Sequence, residues 1–135
     1  MARFKIVARF SNGRVLKGLT GDFVPTKPSF RLLPAEAEGT AKPIEIQVVE
    51  LKAIFFVKEL RSKPHIYPHR QQFDPRKPAT GRKIRVVFLD GEILVGTTQT
   101  YDPRRQGFFV FPADEASNNE RCFVVAGAIK EMTFL

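Results

Sequence analysis

The stretches FSNGRVLKGLT (Phe10–Thr20) and FLDGEILVGTT (Phe88–Thr98) lie 78 residues apart and carry the same pattern. In each, alternating apolar residues flank an Asn-Gly or Asp-Gly dipeptide. Alternation is typical of a half-buried strand, and these dipeptides tolerate the positive φ angles of a type I′ turn. Both stretches therefore predict β-hairpins, with Gly18 and Gly96 placed where the second strand of each can bend.

The hairpins belong to a longer internal repeat. Residues 5–57 align with residues 83–135 without a gap, and thirteen of the 53 pairs are identical. The identities fall on turn-forming and apolar residues, which determine a fold, rather than on acids, bases or nucleophiles. The pattern predicts five strands in each copy, with a short turn before the last strand as the only hint of helix. A unit of this size buries only about 60% of its unfolded surface, so we expect the copies to pack together or to dimerise.

The repeat also defines the predicted domains. Residues 1–60 form a first small β-barrel, residues 83–135 a second, and residues 61–82 a linker between them. The linker is basic and contains four prolines, which disfavour a regular helix and give it some stiffness. The predicted fold class is all-β, with two tandem five-stranded barrels.

The composition excludes several classes of protein. An apolar content of 43% with thirteen Phe indicates a globular chain rather than a disordered one. No stretch approaches the roughly 20 apolar residues of a membrane span, and the N-terminus, which begins with Met1–Lys5, lacks the apolar core of a signal peptide. The single cysteine, Cys122, has no internal partner, so we expect a reducing cytoplasm. It aligns with the apolar Ile44, which predicts a buried and unreactive thiol.

The net charge of +8 is concentrated in the first copy and the linker. Residues 5–57 carry +3 and residues 58–82 carry +5, whereas residues 83–135 carry −1. A basic patch of this kind fits a polyanion, although the charge could equally serve solubility. The candidate polyanion-binding residues are Arg9, Arg14, Lys17, Lys27, Arg31, Arg61, Lys63, Arg70, Arg76 and Lys77.

The second copy is apolar where the first is charged. Arg9 and Lys17 become valine in the second copy, and Arg31, Glu45 and Gln47 become Phe or Val. A protein rarely leaves such a face in water, so we expect it to be covered by the first copy, by the linker or by another chain. The candidate interface residues are Val87, Val95, Phe109, Phe123 and Val125.

No constellation of catalytic or metal-binding residues emerges. His65 and His69 are four residues apart, but flanking prolines disfavour the helix that would bring them together. No Ser-His-Asp order, carboxylate pair or phosphate-binding glycine loop is present, and no cofactor is expected. The pattern of PilZ-type second-messenger barrels is also missing, because Asp114–Ser117 has the wrong spacing and no glycine behind it.

The segment Phe10–Phe23 resembles the first motif of Sm-like proteins, which has a turn glycine, a second glycine five residues later and an acid near the next loop. Residues 88–101 repeat the motif less completely. The resemblance implies Sm/SH3-like barrels and a duplicated bacterial protein from a family of unknown function. It does not extend to the RNA pocket of Sm proteins. Ser29 and Gly107 stand nearest the position of their loop Asn, and their Arg-Gly pair is missing.

The sequence thus predicts a non-catalytic binding or adaptor module, not an enzyme, that acts through a protein partner or by self-association. The alternative is a nucleic-acid-binding protein that uses the basic face of the first copy and the linker.

Overall fold

The computed structural model describes residues 3–35, 42–60, 73, 76, 80–114 and 117–135. Within these ranges the chain consists of strands, turns and two short 3-10 segments, which confirms the predicted all-β class. The strands are β1 (Phe4–Phe10), β2 (Val15–Thr20), β3 (Ser29–Pro34), β4 (Ile44–Gln47), β5 (Leu51–Val57), β6 (Arg82–Phe88), β7 (Ile93–Thr98), β8 (Gly107–Pro112), β9 (Asn119–Val125) and β10 (Ile129–Phe134). The 3-10 segments, Val48–Glu50 and Ala126–Ala128, precede β5 and β10. No helix in the described part of the chain is long and apolar enough to cross a membrane.

The two halves of the chain pair their strands in the same way. The order is β5-β1-β2-β3-β4 in the first half and β10-β6-β7-β8-β9 in the second. Their registers also differ by the constant offset of 78 residues, as in Ala8↔Leu16 and Val86↔Leu94. The offset seen in the sequence is therefore also an offset in structure.

The hairpin turns differ in type from the one predicted. Only the glycine of each dipeptide has a positive φ, 94° at Gly13 and 91° at Gly91, so the predicted type I′ turn is wrong. The amide of Gly13 donates to Phe10 O at 3.0 Å, and the amide of Phe10 donates to Arg14 O at 2.8 Å. This is the longer hairpin loop, in which a glycine in the left-handed region follows a tight turn.

The two halves share a single sheet instead of forming two separate barrels. Strand β5 pairs antiparallel with β9, with Ile54 opposite Phe123 and Phe55 opposite Cys122. This pairing joins all ten strands in the order β10-β6-β7-β8-β9-β5-β1-β2-β3-β4. The predicted pair of five-stranded barrels joined by a linker is corrected to that extent, and the linker lies largely outside the described residues. We call the β5–β9 pairing the seam.

The seam is buried on both faces along the whole of β5 and along Cys122–Val125 of β9. Successive side chains of a strand point to opposite faces, so each seam strand contributes to two cores. In β5, Ile54 and Phe56 belong to the core of the first half, whereas Ala53, Phe55 and Val57 belong to the core of the second. This explains why β5 is apolar throughout its second part instead of alternating. Each half thus completes its core with residues of the other half.

An ion pair between a buried lysine and two exposed carboxylates closes one end of the seam. Lys52 is the extra residue of a β-bulge, because Phe10 pairs with Leu51 and Arg9 with Ala53. The bulge directs its Nζ to the β6–β7 turn, 2.7 Å from Asp90 Oδ2 and 2.9 Å from Glu92 Oε2. The side chain of Lys52 is only 8% exposed. The hydrogen bond from Lys52 holds the pKa of Asp90 below its usual value.

Strand β2 bends at Gly18, where the backbone of β3 comes into direct contact. A Cβ atom at residue 18 would collide with the carbonyl oxygen of Leu33. Gly96 has the same relation to Phe111 in the second half. The two glycines are therefore required by the close approach of β2 to β3 and of β7 to β8.

We predict that Gly18→Ala lowers the free energy of unfolding by about 2–4 kcal/mol, because the backbone of β3 would have to move. Gly127→Ala is the matched control, since a Cβ at Gly127 meets nothing within 4 Å. Urea titration followed by circular dichroism measures both. Equal effects of the two substitutions would contradict the close contact.

The Lys52 ion pair predicts a pH dependence of stability. Because the folded pKa of Asp90 is depressed, its contribution is present above the ordinary pKa of 3.8 and is lost as the pH falls through the lower folded pKa. We expect Lys52→Met to weaken this acid loss of stability in thermal melts between pH 5 and pH 2, roughly the window in which carboxylates titrate. Lys130→Met, at the equivalent exposed position, should leave the wild-type profile unchanged. An unchanged profile in Lys52→Met would show that the pair does not act in solution.

Candidate anion-binding site

The seam brings two equivalent loops side by side. The first, residues 21–28, connects β2 to β3, and the second, residues 99–106, connects β7 to β8. Pro25 and Thr26 of the first loop and residues 102 and 104–106 of the second line a depression of about 510 Å³. We call this place the loop junction.

Both loops are built by the same local interactions. The hydroxyl of Thr20 donates to Arg31 O, and that of Thr98 donates to Phe109 O, each at 2.8 Å. Inside the loops, the amide of Lys27 donates to Val24 O at 3.0 Å, and its counterpart Arg105 donates to Asp102 O at 3.1 Å. The repeat therefore places residues 27 and 105 at the same point of the same turn.

Gln106 connects the two loops directly. Its Nε2 donates to Pro25 O at 2.8 Å and to Lys27 O at 2.7 Å. Both acceptors are backbone carbonyls, so the bonds define the path of the first loop without engaging its side chains. The side chain of Lys27 is exposed.

Arg104, Arg105 and Asp102 line the depression at the loop junction, and Lys27 adjoins it through the bond from Gln106 to its carbonyl. Lys27 is exposed, and the side chains of Arg104 and Arg105 are 88% and 53% exposed. Asp102 accepts from Arg104 Nη2 at 3.1 Å and from Arg104 Nε at 3.2 Å, while Arg105 Nε lies 4.0 Å away. Within the ranges that the structure describes, no carboxylate lies within 4.0 Å of the Lys27 ammonium. The junction therefore keeps a net positive charge.

The Asp102 carboxylate serves to position Arg104. The Arg104 guanidinium and its backbone amide both donate to Asp102, which holds the pKa of this carboxyl below its usual value. The same contact raises the pKa of Arg104. Both groups thus stay charged at neutral pH, and the guanidinium keeps donors free for an anion because Asp102 engages only two of its nitrogens.

The structure disperses the basic residues that the sequence grouped together. Arg9 and Arg14 lie over the rings of Phe55 and Phe10 at 5.4 and 5.5 Å, and Lys17 is exposed on β2. Arg31 is exposed on β3, directly opposite Glu45 of β4. Of the linker residues in the prediction, Arg76 is exposed, and Arg61, Lys63, Arg70 and Lys77 lie outside the described residues. Lys27 is the member of the predicted set that lies at the loop junction.

The predicted apolar interface is divided in a similar way. Phe123 and Val125 belong to the core of the first half, and Phe109 packs against it. This part of the face is therefore covered by the chain itself. Val95 is buried and Val87 is half-buried on the strands of the second hairpin, away from that core.

Sequence reasoning missed Arg104 and Arg105. The second copy has a net charge of −1, so its loop was not considered as a basic surface. The available signal was the repeat itself, because the offset of 78 places Arg105 on Lys27 and Arg104 on Thr26. Only the seam shows that these positions meet in space.

A further arginine, Arg121, is occupied by aromatic rings. Its guanidinium lies 4.4 Å from the centre of Phe56, 4.9 Å from Phe109 and 5.3 Å from Phe4. Such contacts favour a cation at a partly desolvated position. Arg121 thus stabilises the seam and is not a free donor for a ligand.

The described residues contain no group of three or more His, Cys, Asp or Glu that could hold a metal ion. The pair His65 and His69 lies outside them. Cys122 is fully buried, as expected, and burial raises the pKa of its thiol. Its counterpart Ile44 is 37% exposed, so burial at this position comes from the seam and not from the repeat.

A family model matches residues 2–135, and the chain belongs to this family, DUF6982, a family of unknown function. Comparison with curated proteins and with solved structures returned no match.

We predict that Gln106→Leu lowers the free energy of unfolding by about 1 kcal/mol, because the part-buried carbonyl of Pro25 and the exposed carbonyl of Lys27 lose their donor. Gln47→Leu is the control, since its amide makes one weak contact of 3.5 Å to Glu45 on an exposed strand. Thermal melts measure stability, and proteolysis of the first loop reports on its ordering. A Gln106 variant that matches the control in both measurements would exclude a role for Gln106 in joining the loops.

Proposed function

We propose that this protein is a non-catalytic binding module whose ligand is the phosphate backbone of a single-stranded nucleic acid. The loop junction is the observation that supports this most strongly, because Arg104 and Arg105 line one open depression and the exposed Lys27 adjoins it through its backbone bond to Gln106. Exposed cations on loops are suited to phosphate, which they contact without reading the bases.

A binding role fits the chemistry of the site better than catalysis. The carboxylate at the loop junction, Asp102, is held by Arg104 and kept charged, which makes it a poor proton donor at neutral pH. The remaining polar groups of the depression are Thr26 and Gln106, and the amide of Gln106 is engaged with the first loop. We therefore expect the cations of the loop junction to bind an anion without catalysing a reaction of it.

The burial of most of the predicted apolar interface within the chain removes the main reason to expect self-association through it. The prediction depended on Phe109, Phe123 and Val125 needing a cover, and these side chains now lie against the core of the first half. A protein partner at another surface stays a prediction. Nucleic acid is favoured because the basic loop junction is a surface that the fold leaves open.

The proposal includes the architecture suggested by the Sm-like resemblance. Equal strand order and register in the two halves support a duplicated small-barrel unit, with residues 1–60 and 83–135 as the copies and residues 61–82 as the linker. The absence of the Sm-type Asn and Arg-Gly residues from the sequence argues for a different binding site, and the loop junction is our candidate. Cytoplasmic location and bacterial origin stay predictions.

The test is fluorescence anisotropy with labelled single-stranded oligonucleotides across a salt series. We expect binding at low salt, with the logarithm of the association constant falling by about 0.7 per phosphate contacted for each unit in the logarithm of salt concentration. The double variant Lys27→Gln and Arg105→Gln should bind more weakly, and its salt slope should be smaller by roughly 1.4.

Lys130→Gln is the matched control, because it removes one exposed cation from the far edge strand β10. It should bind as the wild type does. No binding at low salt would refute the proposed function. An equal loss in the control and in the loop variants would refute the loop junction as the site.

A further inference from the structure

We propose that the protein stays monomeric. The seam between β5 and β9 forms once, within the chain, and the outer strands β4 and β10 do not pair with a second molecule of this protein. This inference does not depend on the anion-binding role. It runs against the homo-oligomer that the sequence favoured.

Because of the repeat, the two outer strands of the sheet correspond to the two strands that form the seam. Strand β4 is the counterpart of β9, and β10 is the counterpart of β5. Within the described part of the chain, β4 pairs only with β3 and β10 only with β6. A second molecule could therefore pair its β4 with β10 of the first molecule in the geometry of the seam, and further molecules could add head to tail.

The outer face of β4 lacks the apolar side chains that β9 uses. In the seam, Phe123 and Val125 of β9 enter the core of the first half, at 0% and 4% exposure. Their counterparts on β4 are Glu45 and Gln47, and both are exposed. Docking β4 in the same way would bury a carboxylate and an amide without partners, which is unfavourable.

Strand β10 differs from β5 in the same sense. The β5 residues Ala53, Phe55 and Val57 belong to the core of the second half. Their counterparts Glu131, Thr133 and Leu135 are exposed. A second molecule would thus meet the charged Glu131 and the polar Thr133 where the seam offers Ala53 and Phe55.

The ion pair of the seam also cannot form again. Lys52 and Lys130 are identical bulge residues of the two copies, but the acceptors of Lys52 are Asp90 and Glu92. If a second molecule paired its β4 with β10, Lys130 would face the first hairpin turn of that molecule. The residues at the positions of Asp90 and Glu92 in that turn are Asn12 and Arg14. The lysine would lose both carboxylates and face an arginine, and this repulsion excludes the wrong partner.

The first hairpin turn can accommodate acidic residues at positions 12 and 14 without a change of backbone conformation. Asn12 Oδ1 accepts the amide of Arg14 at 2.9 Å, and Asp90 Oδ1 accepts the amide of Glu92 at 2.9 Å. The variant Asn12→Asp with Arg14→Glu therefore gives the first hairpin a turn that the second hairpin already forms. This makes the proposal open to a gain-of-association test.

The first measurement is the mass of the wild-type protein by sedimentation velocity over a hundredfold range of concentration. We expect a monomer throughout. A dimer or a longer series whose population rises with concentration would overturn the proposal, because the outer strands would then not keep the protein monomeric.

The second measurement uses a variant in which the outer strands β4 and β10 carry residues of the seam strands β9 and β5. It combines the turn change Asn12→Asp and Arg14→Glu with Glu45→Phe and Gln47→Val on β4, and with Glu131→Ala and Thr133→Phe on β10. We expect concentration-dependent association, reduced at least tenfold in affinity by adding Lys130→Glu.

Circular dichroism and a cooperative melt establish that the variant is folded. If it does not fold, the turn change alone, which alters only exposed residues, is compared with the wild type for weak association at high protein concentration. A folded variant that stays monomeric, or association that Lys130→Glu does not reduce, would overturn the proposal.

Discussion

The structure depends on the antiparallel pairing of β5 with β9. The whole of β5 and residues Cys122–Val125 of β9 are buried on both faces, and alternate side chains of each strand enter different cores. Neither half of about 53 residues has a complete core without the other, in agreement with the small surface that a unit of this size can bury. The Lys52 ion pair and the stacking of Arg121 on three Phe rings add polar contacts that specify this pairing.

The loop junction is a consequence of the same pairing. Because the copies are related head to tail, the first loop of one copy lies beside the equivalent loop of the other, and Gln106 bonds across the gap. Lys27, which occupies the same position of the repeat as Arg105, thereby adjoins the depression that Arg105 lines. The repeat and the seam together thus create a basic surface that one half alone could not have.

The two copies have diverged mainly on the faces outside their own cores. Ile6 and Ile84, or Ala8 and Val86, fill equivalent core positions, whereas Glu45 corresponds to Phe123. The inward face is constrained by packing within each half, so it changes little. The outward face depends on what lies against it, and this differs because one copy donates β9 to the seam and the other leaves β4 at the edge.

The sequence by itself determined the local structure and the repeat. Alternation, turn glycines and the offset of 78 depend on neighbouring residues, and they correctly indicated the strands and the equal pairing in both halves. The turn type was wrong because φ at Asn12 depends on the length of the closed loop, and Arg104 was missed because its neighbours in space are far away in sequence. Only the tertiary structure decided that β5 pairs with β9, since hydrogen bonding between strands of different halves follows from which faces must be buried together. It also decided which cations meet, because exposed charges have no packing pattern that would mark them in the chain.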